Sequence, residues 1–161
     1  MIQGPTVPVN RSVWTEADFA TMGWHDNEVH AFVIEPAPPY PGRLVVDLDY
    51  IIEWVHPQHP GEAFSFWVCP ATLVFDEASA LKGDLEFAHS GFELSLARIE
   101  RSECDHPHAS TWTLDGHNFS LQVDSSGFTQ YLRRPPILTS RQRLTLDQRG
   151  GISFDEAGYS L

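Results

Sequence analysis

The chain has 161 residues, of which 42% are hydrophobic and 12% aromatic, enough to bury the core of a single domain. Its 22 acidic residues outnumber its 10 basic ones, and the net charge of −12 disfavours nucleic acids and anionic membranes as partners. The same charge would speed association with a basic protein or a cationic ligand, although acidity is also a common route to solubility. No apolar run reaches the ~20 residues that a membrane span needs, and the first residues lack the features of a secretion signal, so we expect a cytoplasmic location.

Twelve prolines and eleven glycines separate short segments with strand-like alternation. Thr15-Glu16-Ala17-Asp18 has the spacing of a helix capping box, which predicts a short helix after an irregular arm over residues 1–13. Later elements recur at intervals of about 8 to 12 residues, as in sandwiches and barrels. We therefore predict a mainly β fold, an antiparallel β-sandwich or partly open barrel with one short N-terminal helix.

The whole chain, residues 1–161, is predicted to form one domain. Its C-terminal tail, residues 133–161, is rich in arginine and is expected to pack on the acidic body. Residues 36–42 are expected to break regular structure because of their prolines, and residues 76–82 to form a helical turn. Predicted strands cover residues 28–35, 43–49 with a continuation to 55 across a bulge, 63–75 with an interruption at Pro70, 84–88, 92–99, 111–114, 117–123 and 128–132. The predicted core comprises Trp24, Phe32, Ile34, Leu44, Val46, Leu48, Trp54, Phe66, Val68, Leu73, Phe75, Phe92, Leu94, Leu96 and Trp112.

One set of reactive side chains is concentrated around the first two predicted strands. Imidazoles and carboxylates together suit a metal site or a general acid–base pair, and neighbouring strands would bring them to one side of a sheet. The alternative is structural. Residues 24–27 would then form a turn with a buried Trp24 indole, and Asp47 and Asp49 would be solvated charges on an edge strand. The candidate binding residues are Trp24, His25, Asp26, His30, Asp47 and Asp49.

A second cluster, Glu103-Cys104-Asp105-His106-Pro107-His108, contains side chains that bind zinc, although a polar hairpin loop also accounts for it. We expect no cofactor, with a divalent metal as the alternative. The candidate metal ligands are His25, His30, Asp47, Cys104, His106 and His108. The sequence contains neither a Gly-x-Ser-x-Gly elbow nor a phosphate-binding glycine loop, and we assign no catalytic residue. A binding protein is therefore favoured over an enzyme.

Several motifs resemble those of a family of small uncharacterised bacterial proteins. They are Trp24-His25-Asp26-Asn27-x-Val29-His30, Gly42-x-Leu44-Val45-Val46-Asp47-Leu48-Asp49-Tyr50-Ile51 with Trp54, Pro70-Ala71-Thr72-Leu73-x-Phe75, and Gly127-Phe128-Thr129-Gln130. Through His25-Asp26-x-x-Val29 and its small acidic β-rich body, the chain is also distantly similar to immunity proteins of bacterial toxin systems. The second resemblance implies a protein that binds and neutralises a partner.

The leading functional hypothesis is thus a protein-binding module of the immunity type. The alternative is a metal-dependent hydrolase or small-ligand-binding domain that uses His25, Asp26, His30, Asp47 and Asp49. A third hypothesis is a homo-oligomer formed through exposed strands.

Overall fold

The computed structural model of the protein describes residues 7–87 and 91–161. These residues form nine strands, which confirms the predicted mainly β class. The strands are β1 (Val13–Thr15), β2 (Glu28–Ala37), β3 (Tyr40–Val55), β4 (Ser65–Leu85), β5 (Leu94–Glu103), β6 (Ser110–Gly116), β7 (Phe119–Ser125), β8 (Gly127–Leu132) and β9 (Ile137–Thr139). A 3-10 helix, Glu16–Thr21, follows β1, and a single α-helical turn, α1 (Leu146–Arg149), lies in the tail. No helix in the described ranges has the length and apolar character of a membrane span.

The sheet curls into a partly closed barrel because strand β4 is long enough to have neighbours along both edges. One edge of β4 pairs with β3, and the other pairs in turn with β7, β8 and β9, which follow each other along it. Strands β2, β5 and β6 complete the ring from β3 to β7. The ring closes narrowly between β2 and β5, through the pairs Glu28–Ser95 and Val29–Leu94.

Strand β3 is buried on both faces, and the two faces differ in chemistry. Its inner face contributes Leu44, Val46, Leu48 and Tyr50 to the main core. Its outer face carries Val45, Asp47, Asp49 and Ile51, all of which are also buried. The tail covers this outer face, where Leu144 packs with Ile51, Phe66 and Val68 in a second apolar cluster.

The N-terminal capping box is confirmed. The Thr15 hydroxyl accepts a hydrogen bond from the Ala17 N–H, and the Asp18 carboxylate accepts one from the Thr15 N–H. The helix that follows is a 3-10 helix of six residues, so it is as short as predicted. It places Phe19 against the aromatic core formed with Trp24, Trp112 and Phe128.

Several predicted boundaries are wrong, in each case because strand pairing extends beyond the local signal. The proline-rich segment does not interrupt the sheet over its whole length, since β2 continues to Ala37 and β3 starts at Tyr40. Strand β4 passes through Pro70 without interruption. Pro70 lies just beyond the last pair between β4 and β8, and its carbonyl oxygen accepts a hydrogen bond from the Arg133 N–H. Residues 76–82 form no helical turn. They continue β4 through a bulge in which Glu77 and Ala80 have positive φ values of 48° and 51°.

Two residues of the predicted core are exposed. Ile34 is 55% exposed and Phe92 is 88% exposed. Among the described residues, β2 pairs with β5 only at Glu28 and Val29, and Ile34 lies beyond these pairs. Alternation along β2 therefore predicted the face on which Ile34 lies, but it did not predict that this face is exposed to solvent at Ile34.

Candidate functional site

The sequence-predicted carboxylates lie beneath the C-terminal tail, on the outer face of β3. Strand β3 is central in the sheet, between β2 and β4, so the interpretation of Asp47 and Asp49 as solvated charges on an edge strand is wrong. Both side chains are completely buried. Burial of a carboxylate is unfavourable unless it is paired and hydrogen-bonded, and the tail supplies the partners.

Asp47 accepts four hydrogen bonds from the tail. Its Oδ1 atom accepts one from Arg149 Nη2 at 2.7 Å and one from Arg133 Nη2 at 2.8 Å. Its Oδ2 atom accepts one from Arg149 Nη1 at 2.9 Å and one from the Ser153 N–H at 3.2 Å. The contact with Arg149 is therefore bidentate, the strongest common geometry for this ion pair.

Asp49 connects the Arg149 guanidinium to His30 on β2. Its Oδ1 atom accepts a hydrogen bond from Arg149 Nε at 3.0 Å. Its Oδ2 atom lies 2.8 Å from His30 Nε2 and accepts a hydrogen bond from the Leu144 N–H at 2.9 Å. The predicted meeting of His30 with the aspartate face is thus confirmed for Asp49. We call Asp47, Asp49, His30, Arg133 and Arg149 the tail clamp.

Within the tail clamp, the surroundings of Asp49 and Arg149 favour their charged forms. Burial alone would raise the pKa of Asp49, but the hydrogen bonds from His30 and Leu144 and the charges of His30 and Arg149 hold that pKa below its ordinary value. Burial would likewise lower the pKa of Arg149, whereas the hydrogen bonds and charges of the two aspartates raise it. Asp49 and Arg149 therefore each favour the charged form of the other.

We expect the contribution of Asp49 to stability to disappear in acid. A carboxyl whose folded-state pKa is depressed stabilises the protein above its unfolded-state pKa, and this stabilisation is lost as the pH falls through the folded-state value. The Asp49→Asn variant should be less stable by about 1–3 kcal/mol near neutral pH, and the difference should shrink below about pH 4. Urea unfolding of both proteins over an acidic pH series measures it. A difference independent of pH would contradict the assignment, since the other carboxyls are common to both proteins.

The structure separates the remaining predicted residues from the tail clamp. Trp24 is buried in the core, where its Nε1–H donates to Gln130 Oε1 at 3.0 Å. His25 is exposed and its ring stacks on Trp54 with centroids 5.6 Å apart. Asp26 takes a positive φ of 60° at the turn before β2 and accepts a hydrogen bond from Gln142 Nε2 at 2.9 Å. Residues 24–26 thus form a corner, as the structural alternative predicts.

The candidate metal ligands are not gathered at one point. Within residues 7–87 and 91–161, no group of three or more His, Cys, Asp or Glu side chains is arranged to hold a metal ion. Cys104 lies in the loop between β5 and β6, where its Sγ contacts the His106 carbonyl oxygen at 3.7 Å. Asp47 is bonded to two guanidinium groups instead.

Sequence reasoning missed a groove at the tip of the β2–β3 hairpin. We call it the hairpin groove. It has a volume of about 550 Å³, and its surface is mostly apolar. Its lining includes Ile34, Tyr40, Leu44, Leu81 and Val123, together with the prolines of the hairpin. The one available signal was the proline-rich segment itself, which we interpreted only as a strand breaker.

Acidic side chains surround Arg43 at the edge of the hairpin groove. The Arg43 guanidinium contacts Glu156, lies 3.5 Å from Glu35 and lies 3.7 Å from Asp76. The pKa of Asp76 is raised, chiefly by burial and then by the negative charges of Glu156, Glu77 and Glu16, although Arg43 opposes this. We call Glu35, Asp76, Glu77 and Glu156 the acidic rim. Negative charge exceeds positive charge there.

No family model, curated protein or solved structure matches the chain in the comparisons with known proteins.

Proposed function

We propose that this protein is a protein-binding module that recognises a basic partner, in the manner of an immunity protein in the bacterial cytoplasm. One observation carries the proposal: the charges of the buried aspartates and arginines of the tail clamp sum to zero. Removing Asp47, Asp49, Arg133 and Arg149 from the 22 acidic and 10 basic residues leaves the net charge at −12. The whole excess negative charge therefore belongs to residues outside the tail clamp.

A surface of this charge attracts a basic protein over a distance and speeds the encounter between them. Exposed apolar side chains then supply the short-range contacts that hold a complex together. Such a protein acts by covering its partner, so it needs no reacting group. The resemblance of the sequence to immunity proteins supports the same role.

The hydrolase alternative finds less support in the geometry. A metal at Asp47 would have to displace Arg149 and Arg133, and a metal at Asp49 would have to displace Arg149. Removal of those cations would leave buried carboxylates without their partners until the metal arrived. The tail clamp is better explained as the device that fixes the tail to the barrel.

The proposal is tested by the salt dependence of association. Immobilised protein is used to capture partners from the lysate of its source organism, and each captured protein is identified and purified. The association rate with the purified partner is then measured between about 50 and 500 mM NaCl. We expect a basic partner whose association rate falls about tenfold or more over this range. An acidic partner, or a rate insensitive to salt, would overturn the proposal.

A further inference from the structure

We propose that the hairpin groove is the docking site for an extended, basic segment of the partner, which inserts one large apolar side chain into it. This inference rests on the proposed function and names the surface that performs it. The proposed occupant is a protein segment in which cationic residues lie on both sides of an aliphatic or aromatic residue.

The floor of the hairpin groove is suited to an apolar side chain. Leu44 and Val123 are buried barrel residues, and Leu81 is partly buried beside them. A volume of about 550 Å³ lies within the range of roughly 300–1,000 Å³ that is usual for ligand pockets. Ile34 is 55% exposed and Tyr40 is 76% exposed at the same place. An inserted side chain would therefore remove several apolar surfaces from water at once.

The wall of the hairpin groove is stiff. Pro38 and Pro39 restrict the backbone in the turn of the hairpin, and Pro36 and Pro41 restrict it on the two sides of that turn. At Gly42 the two strands approach so closely that an added Cβ atom would lie 2.2 Å from the Glu35 carbonyl oxygen. A surface held in one conformation before binding loses little conformational entropy when a partner docks.

The charge at the edge of the hairpin groove identifies the occupant. Arg43 is shared among Glu35, Asp76 and Glu156, so one cation faces three carboxylates. Arginine or lysine residues of the occupant would complete these interactions, and arginine would do so with paired hydrogen bonds. A second copy of this chain would instead bring another body of charge −12 to the acidic rim. Charge complementarity therefore favours a basic segment over self-association.

The probes are three short peptides that separate charge from apolar character. The first is Arg-Gly-Leu-Gly-Arg, the second replaces its leucine with serine, and the third replaces both arginines with glutamate; all have blocked ends. Methyl NMR spectra of Ile34, Leu44, Leu81 and Val123 report occupancy of the groove. We expect the first peptide to shift these signals and to bind about tenfold more tightly than the second, with no binding of the third.

Variants locate the site. Ile34→Gln should weaken binding of the first peptide about tenfold, and Glu35→Gln combined with Asp76→Asn should weaken it and reduce its salt dependence. Phe92→Gln is the matched control because Phe92 is also a large exposed apolar residue and does not line the groove. It should leave binding unchanged. The amide spectrum of each variant verifies that the barrel is folded.

The results distinguish failure of the site from failure of the proposed function. Equal binding of the leucine and serine peptides, or binding that leaves the four methyl signals of the groove unshifted, would overturn the hairpin groove as the docking site. So would an unchanged affinity of the purified natural partner for the Ile34→Gln variant. In each of these cases a salt-dependent association with the natural partner would still support the proposed function.

Discussion

The Arg149→Met variant is expected to lose about 3–5 kcal/mol of its free energy of unfolding. Arg149 is completely buried and forms ion pairs with Asp47 at 2.7 Å and with Asp49 at 3.0 Å. Methionine fills much of the same space but supplies no charge and no donor. Two buried carboxylates would then lose their common partner, and the cost of an unpaired buried charge determines the size of the effect. Urea unfolding followed by circular dichroism measures it.

Arg141 supplies the control because it lies in the same tail and is exposed. Arg141→Met should change stability by no more than about 0.5 kcal/mol. Adding Asp49→Asn to Arg149→Met should recover part of the loss, since Asp47 still pairs with Arg133 at 2.8 Å and no buried carboxylate then lacks a cation. Equal effects of Arg149→Met and Arg141→Met would show that the tail clamp does not hold the tail.

The alternation of β3 was sufficient to predict its two faces, because the two-residue period of a strand is a local property of the sequence. The approach of His30 to Asp49 was expected from the pairing of consecutive strands, but alternation alone would place His30 on the same face as Phe32. A register shift between Val29 and Ala31 brings His30 to the outer face instead. No local property of the sequence indicates which cation pairs with the two aspartates. Arg149 lies 100 residues from Asp49 along the chain, and any of the tail arginines had the chemistry to pair with it.

The hairpin groove and the bulge in β4 escaped prediction for a related reason. The prolines of residues 36–41 indicate a break, but the ladder between β2 and β3 continues because Ala37 pairs with Tyr40 across a short turn. Residues 76–82 have no strong alternation, and their strand conformation follows from pairing with β3, β7 and β8. Ile34 shows the same limit: its face is predictable from alternation, whereas its exposure depends on where β5 begins.

The second large effect is expected in the core, at Trp112. This indole is completely buried and contacts the rings of Phe19 and Phe128, with centroids 5.2 Å away in each case, and that of Phe75 at 6.0 Å. Trp112→Ala should lower the free energy of unfolding by about 3–5 kcal/mol, because it removes a large apolar side chain and leaves a cavity that the surrounding strands cannot fill. Urea unfolding measures this loss.

Two further substitutions show whether packing is the cause. Phe92→Ala removes an aromatic side chain that is 88% exposed and should cost no more than about 0.5 kcal/mol. Trp112→Phe keeps an aromatic ring and removes an indole N–H that has no hydrogen-bond partner among the described residues, so its loss should stay below about 2 kcal/mol. A loss from Trp112→Phe as large as that from Trp112→Ala would contradict this account, because a phenyl ring keeps much of the buried apolar surface of the indole.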